Sequence, residues 1–185
     1  MADFEIASGI ALESDNLRLI PFTRVFLTDR YISWLNDPDV CRYNSHGSTL
    51  YTRQKAEEYL TSIQNNPAQK VFAIIWKQSG EHIGNAGLYV SAANRAGELT
   101  ILIGEKNYWG RGAGYEAFRL LRDYSFGDLD LHRLKFGFAA ENRPIQRIAE
   151  KLGFSKEGHF KDALLKNGRY LDIEQWALLN PRHAR

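Results

Sequence analysis

Three glycines at alternate positions, Gly110, Gly112 and Gly114, stand in the stretch Tyr108–Phe118, YWGRGAGYEAF. A strand-like run, Glu98-Leu99-Thr100-Ile101-Leu102-Ile103-Gly104, comes shortly before, and a helical pattern follows at once. The first turn of a helix carries N–H groups with no intrahelical acceptor and a partial positive charge, so it seats anions. Glycines ahead of it let a bulky anion reach the main chain without meeting a Cβ. The chemistry this stretch suits is phosphate or pyrophosphate binding, to which the helix dipole adds about 0.3–1 kcal/mol. Neither familiar nucleotide loop fits. The P-loop ends in Gly-Lys-Ser/Thr, which is missing here. The dinucleotide fingerprint G-x-G-x-x-G starts well at Gly110 and Gly112, but Tyr115 occupies its third glycine position. Arg133 stands where that fingerprint needs an acidic residue. A glycine-rich turn without a ligand is the alternative reading of the loop alone.

The surrounding elements follow from periodicity. LRLIP (17–21) alternates as a strand and stops at Pro21. DRYISWL (29–35) places Tyr31, Ile32 and Leu35 on one helical face, and Asn36-Asp37-Pro38 ends it. Thr52 is the N-cap of a second helix reaching about Ile63. VFAIIW (71–76), HIGNAGLYV (82–90) and ELTILIG (98–104) read as three strands. A helix from about Gly112 to Phe126, a strand RLKFGFAA (133–140) and a short helix RPIQRIAEKLGF follow. In that helix Pro144 suits the first turn and Gly153 the C′ position. GRYLDIEQWALL (168–179) closes the chain as a turn plus strand. The order predicts an α/β (α+β) layer domain with a mixed sheet, in which the strand–helix–strand at 98–140 forms a parallel pair.

The 185 residues suffice for one domain with a proper core. Residues 1–16 read as a partly ordered tail, 17–179 as one domain and 180–185 as a second tail. The net charge of +2 gives no field suited to nucleic acid or a membrane surface. Cys41 is the single cysteine, which rules out an internal disulfide and fits a cytoplasmic setting. The start, MADFEIASGIALESD, lacks the basic and apolar regions of a signal peptide, and no apolar run nears the ~20 residues of a membrane span. The five histidines show no metal-ligand spacing, so no metal is expected.

The segments ELTILIGEKNYWGRGAGYEA and HRLKFGFAAENRPIQRIAEKLGFSKEGHF together resemble the GNAT family of acyl-CoA-dependent N-acetyltransferases. WGRGAG, EN and EKLGFSKEG stand in the family's order and spacing, and SWLNDPDVCRY is typical of one branch. That branch contains ribosomal-protein alanine acetyltransferases and amino-sugar acetyltransferases. The resemblance covers about residues 17–179. It implies a mixed, mostly antiparallel sheet of about seven strands with a central splayed parallel pair and about four helices.

The resemblance also assigns roles. Gly110, Arg111, Gly112, Ala113 and Gly114 would hold the pyrophosphate of acetyl-CoA, with Trp109 in the place of the family's usual Gln or Arg. Arg111 is equally readable as a solvated side chain. Asn142 matches a usual coenzyme A contact, and is also readable as an N-cap before Pro144. A main-chain N–H near Leu102 or Ile103 would polarise the thioester carbonyl. Glu98 is the first choice of base for the attacking amine, ahead of Glu105; a strand-edge surface glutamate is the competing reading. The family's general acid, a Tyr or Ser, is absent: Ala149 and Ile145 hold its positions, with Tyr170 and Asp172 as spares. A thiol of pKa near 8.5 is a fair leaving group even unaided.

The acceptor would be met by the inter-helix loop 39–52, through Arg42, Tyr43 and His46, and by Tyr170. Cys41 reads as a packing residue. The leading expectation is transfer of an acetyl group to a primary amine of an amino sugar or nucleotide-linked amino sugar. A protein N-terminus is the alternative acceptor, and a non-catalytic coenzyme A-binding sensor the alternative class. A nucleic-acid binder using Arg111, Arg119 and Arg122 is disfavoured by the near-neutral charge. The partner is thus a small-molecule or peptide amine, and the assembly a monomer or homodimer.

Overall fold

Each long apolar or alternating run in the chain becomes a strand, and each run with i, i+3, i+4 apolar spacing becomes a helix. The computed structural model describes residues 10–183. In chain order these form β1 (Leu12–Glu13), β2 (Leu17–Pro21), α1 (Asp29–Trp34), α2 (Arg53–Gln64), β3 (Gln69–Trp76), β4 (Glu81–Ser91) and β5 (Ala96–Ile103). The second half forms α3 (Ala113–Gly127), β6 (Arg133–Ala139), α4 (Arg143–Lys151), β7 (Ser155–Lys166) and β8 (Arg169–Leu179). The strands make one eight-stranded sheet in the order β1-β2-β3-β4-β5-β6-β8-β7. Its neighbours are antiparallel except β5 and β6, which run parallel across the α3 crossover.

Local chemistry fixes the helix ends. The Thr28 and Thr52 hydroxyls accept from the N–H groups of Tyr31 and Lys55, at 3.2 and 3.3 Å, and start α1 and α2. At the end of α4, Gly153 (φ +83°) donates to Glu150 and Phe154 donates to Ala149, the paired bonds of a Schellman stop. The sheet separates two apolar cores. Leu17, Leu19, Ile74, Leu88, Leu121 and Phe136 pack on the α3/α4 side. Phe22, Tyr31, Trp34, Leu60, Val71 and Ala73 pack on the α1/α2 side.

Two features lay outside the sequence expectations. Leu12–Glu13 pairs with β2, so part of the stretch read as a tail is an edge strand. Residues 1–9 and 184–185 of the two expected tails lie outside the described residues. β7 is a full strand of 12 residues, giving eight strands in place of about seven. Most of its residues are exposed and two irregularities break its register with β8, which erases any period-two signal.

The parallel pair is short. β5 and β6 match at Ala96↔Arg133, Gly97↔Leu134 and Glu98↔Lys135, and there pairing ends. Beyond it β5 stays with β4 as far as Ile103↔Gly84, and β6 stays with β8 as far as Ala139↔Ile173. Each strand follows its outer neighbour, so the centre of the sheet opens into a V.

Candidate active site

The glycine loop sits at the open end of the V. Gly110 and Gly112 have φ of +74° and +86°, a region that favours glycine, and an added Cβ at either would meet nothing within 4 Å. The loop is therefore bare on its outer side. Gly112 is the N-cap of α3 and supplies no side-chain cap. Among the described residues the N–H groups of Gly110, Gly112, Ala113, Gly114 and Tyr115 have no hydrogen-bond partner. Such a row of free donors at a helix start is a seat for a phosphate. Gly114 has a different reason: a Cβ there would press on Ile148 at 3.1 Å, so it lets α3 approach α4.

The loop is held from below. The Trp109 indole N–H donates to the Ile103 carbonyl at 2.8 Å, tying the loop to the last residue of β5. Tyr108 is buried against Trp76, and its hydroxyl bonds Glu81 and, at 2.9 Å, Ser79. Arg111 lies over the Tyr108 ring, 5.5 Å from its centroid. Arg30 of α1 reaches Glu105 at 2.6 Å, and Lys106 reaches Asp37 at 2.7 Å. The phosphate loop and the α1–α2 region are thereby joined.

Strand parity decides which main-chain groups face the V. A Cβ on Gly84 would lie 2.1 Å from the Leu102 carbonyl oxygen, so Leu102 presents its main chain to β4. Alternate residues present theirs to the other edge. Ile103, whose carbonyl meets Trp109, faces the V, and so does Ile101. Leu102 thus turns its main chain away from the V, and Ile101, missed in the sequence, shares the V-facing edge with Ile103. Counting two residues back from Ile103 along the strand would have found it.

Glu98 stands at the last paired position, with Lys135 across from it on β6. Its carboxylate is half exposed and ion-paired to the Lys135 ammonium at 3.1 Å. The register puts Glu98, Thr100, Lys135, Gly137 and Gln175 on one face of the sheet, the α1/α2 side. Gln175 was not foreseen. Its Nε2 is buried without a partner among the described residues, and its Oε1 lies over Gly137, 3.4 Å from where a Cβ would stand.

Asn142 is the N-cap residue of α4, but its carboxamide caps nothing; its backbone N–H donates to Ala139 at 2.8 Å. Ile145 and Ala149 are buried in the α3/α4 core, so the inner face of α4 offers no proton donor. Asp172 binds His159 Nε2 at 2.8 Å and the Asp162 N–H at 2.9 Å. The backbone hydrogen bond and then His159 hold its carboxyl below the usual range.

A cleft of about 280 Å³ opens beside the end of β6. Arg42 and Tyr43 of the inter-helix loop form one wall; Lys166, Asn167, Arg169 and Leu171 of the β7–β8 hairpin form the other, with Glu141 between. Tyr170 is exposed and, by strand alternation between Arg169 and Leu171, points to the opposite face; its expected place at the acceptor is corrected. His46 does not line the cleft. Its ring stands edge-on to Tyr51, 6.0 Å between centroids. Desolvation there, and then the Lys166 charge, hold it below the ordinary imidazole value. Cys41 is fully buried, its thiol donating to the Trp34 carbonyl at 3.4 Å, and burial pushes its pKa up. Among the described residues no His, Cys, Asp or Glu cluster could hold a metal, and no helix is long and apolar enough to cross a membrane.

A sheet opened at a parallel pair, with free N–H donors at its mouth, is a cleft suited to an extended ligand that ends in a phosphate. Residues 16–155 match the family model described as an acetyltransferase (GNAT) domain. The chain is 28% identical over 159 residues to an uncharacterized N-acetyltransferase p20 of Bacillus licheniformis, covering 84% of this chain and 89% of that protein. It is 33% identical over 132 residues to the probable N-acetyltransferase YjcK of Bacillus subtilis, covering 70% and 71%. The crystal structure of spermidine N-acetyltransferase from Vibrio cholerae in complex with CoA and spermine superposes with a TM-score of 0.80, at 26% identity, covering 90% of this chain and 97% of that one. The chain belongs to the GNAT family and is an acetyl-CoA-dependent N-acetyltransferase.

Proposed function

We propose that the protein moves an acetyl group directly from acetyl-CoA to the primary amine of an amino sugar or nucleotide-linked amino sugar. The observation that carries the transfer is the V between β5 and β6, ending at the uncapped loop Gly110–Gly114. Free N–H groups of the loop and of α3 take the pyrophosphate, with Asn142 on the facing side. The exposed edge of β5 runs beside the pantetheine arm, and the N–H of Ile101 or Ile103 donates to the thioester oxygen. The amine lone pair attacks the carbonyl carbon; the C–N bond forms, the C–S bond breaks and the sulfur leaves with its electron pair. Glu98 takes the amine proton, directly or through a water, and the Lys135 ammonium beside it offsets the like charge of the departing thiolate. No side chain of α4 protonates the sulfur, and a thiolate of pKa near 8.5 leaves without one.

The acceptor enters over the face that carries Glu98, Lys135 and Gln175, between the inter-helix loop and the β7–β8 hairpin. The guanidinium groups of Arg42 and Arg169 at the cleft suit an acceptor with anionic substituents, which supports a nucleotide-linked amino sugar over a polyamine. The test is free-thiol release from acetyl-CoA with a panel of amino sugars, amino-sugar nucleotides and Ala- or Ser-starting peptides. Turnover should concentrate on the sugars. In Glu98→Gln it should fall by about 10²–10⁴-fold with acetyl-CoA binding retained. Turnover on peptides alone would transfer the assignment to protein N-termini, and binding without turnover on any amine would leave a sensor.

A further inference from the structure

The geometry points to Lys166 as the counter-charge for a phosphate or pyrophosphate group of the acceptor, bound in the cleft between the inter-helix loop and the β7–β8 hairpin. This rests on the acetyltransferase reading above, which makes that cleft the acceptor side. Lys166 is 6% exposed, the one lysine in the buried set of the described residues. Its ammonium has three donors. One meets the His46 carbonyl. Among the described residues no carboxylate lies within 4.0 Å of it, although the same chain pairs Lys135, Lys156 and Lys106 with acids at 3.1, 3.1 and 2.7 Å. A buried cation is retained when something neutralises it, and among the described residues its side-chain partner is the neutral His46 carbonyl.

The neighbours are arranged for an anion. Arg42 binds Asp39 at 2.7 Å and Arg169 binds Glu141, so each guanidinium is oriented by a carboxylate and keeps donors to spare. The inter-helix loop bends close over the ammonium at Gly47, φ +79°, where an added Cβ would stand 3.4 Å from Lys166 Nζ and 3.0 Å from Cys41 Cβ. Loop, hairpin and ammonium therefore form one unit, and an anion bound to Lys166 would hold the two walls together. A polyamine would bring further positive charge to the same spot.

The test uses the full chain saturated with coenzyme A, so that the glycine loop is filled and the added anion cannot bind there. Inorganic pyrophosphate, UDP and spermidine are titrated calorimetrically. Pyrophosphate or UDP should bind one to one and spermidine should not. UDP binding more tightly than pyrophosphate would identify a nucleotide acceptor, and equal affinities a simple phosphorylated one. Lys166→Met should weaken the anion about 10- to 100-fold, the range of a charged hydrogen bond, with coenzyme A affinity unchanged. Lys166→Arg should retain most of it. Should Lys166→Met not fold, Arg169→Gln, on the open rim of the same cleft, should still weaken the anion several-fold. Absence of any anion binding to the wild-type chain, or unchanged binding in Lys166→Met, would overturn the inference. Thiol release from acetyl-CoA with glucosamine as fast as with its phosphorylated form would also sink it, while leaving the acetyltransferase intact. Failure to bind acetyl-CoA would instead sink the reading beneath it.

Discussion

Gly104→Ala tests how the phosphate loop is supported. Gly104 follows β5 and begins the loop. An alanine Cβ there would stand 2.0 Å from Trp34 Cδ2 and 2.3 Å from both Cε3 and Cγ. Contact needs about 3.5–4.0 Å, so the ring or the chain must yield by roughly 1.5 Å. The ring has little room: Trp34 is 5% exposed and is bounded by Tyr31 and His82, with centroids at 6.2 and 5.0 Å. The chain is equally held, since Gly104 and Glu105 both donate to the Ile83 carbonyl at 3.0 Å. Overpacking of this kind costs about 1–3 kcal/mol, and the rigidity on both sides argues for the upper figure. For a domain of this size about 3 kcal/mol lowers Tm by roughly 6–12 °C. Differential scanning calorimetry of wild type, Gly104→Ala and Gly127→Ala is the assay. The last is a control, because a Cβ at Gly127 meets nothing within 4 Å. Trp34→Leu in the Gly104→Ala background should restore part of the loss, a non-additivity expected only of residues in contact. A Gly104→Ala protein melting within about 2 °C of wild type would refute the reasoning, since that shift corresponds to under 1 kcal/mol.

Gly112→Ala places an alanine at φ +86° with open space around it, so it should lose about 1–2 kcal/mol of stability and weaken acetyl-CoA binding at least several-fold. Gly80→Ala, at φ +71° and equally open, should show the stability loss in a denaturant melt with no change in acetyl-CoA affinity. Trp109→Phe should leave Tm nearly unchanged but raise the acetyl-CoA dissociation constant, since the indole bond to Ile103 is removed. Burial holds His82 below its ordinary value of 6.5, against the opposing hydrogen bond to Asn85. The unfolded chain then binds more protons below about pH 6.5, so stability should fall as pH drops through that window. Melts of His82→Gln between pH 5 and 8 should show a flatter profile than wild type, and an unchanged slope would remove His82 as the cause.

The helices were legible because their signals are local. Thr52 and Gly153 are punctuation that any reader of the chain can see, and each caps as expected. The strands of the central sheet were legible because they carry runs of buried apolar residues. β7 was not, because an exposed edge strand needs neither apolar alternation nor regular register. The bare glycine loop and the start of α3 were legible because glycine spacing and helix start are both written in eleven residues. Trp34 under Gly104 could not, because the contact joins residues 70 apart and depends on how α1 lies on the sheet.

What separates the residues that border the V or the cleft from those beside them is a single binary quantity, strand parity. Tyr170 and Leu171 are neighbours, yet only Leu171 borders the cleft. Leu102 and Ile103 are neighbours, yet only Ile103 turns its main chain to the V. A resemblance to a family narrows each choice to within one residue, and within one residue a strand reverses both its side-chain face and its hydrogen-bonding edge. The pairing partner resolves it: Gly84 for β5, and the β7–β8 hairpin for the cleft. Glu98 differs because it has such a partner in its own right. Its place at the last pair before the V opens is fixed by Lys135 across the parallel ladder, and that ladder ends at the same point for both strands. The same logic makes Lys166 informative. A lysine near a hairpin tip reads in the sequence as a solvated charge, and the crossing of the inter-helix loop over it, 120 residues away along the chain, turns it into a buried one.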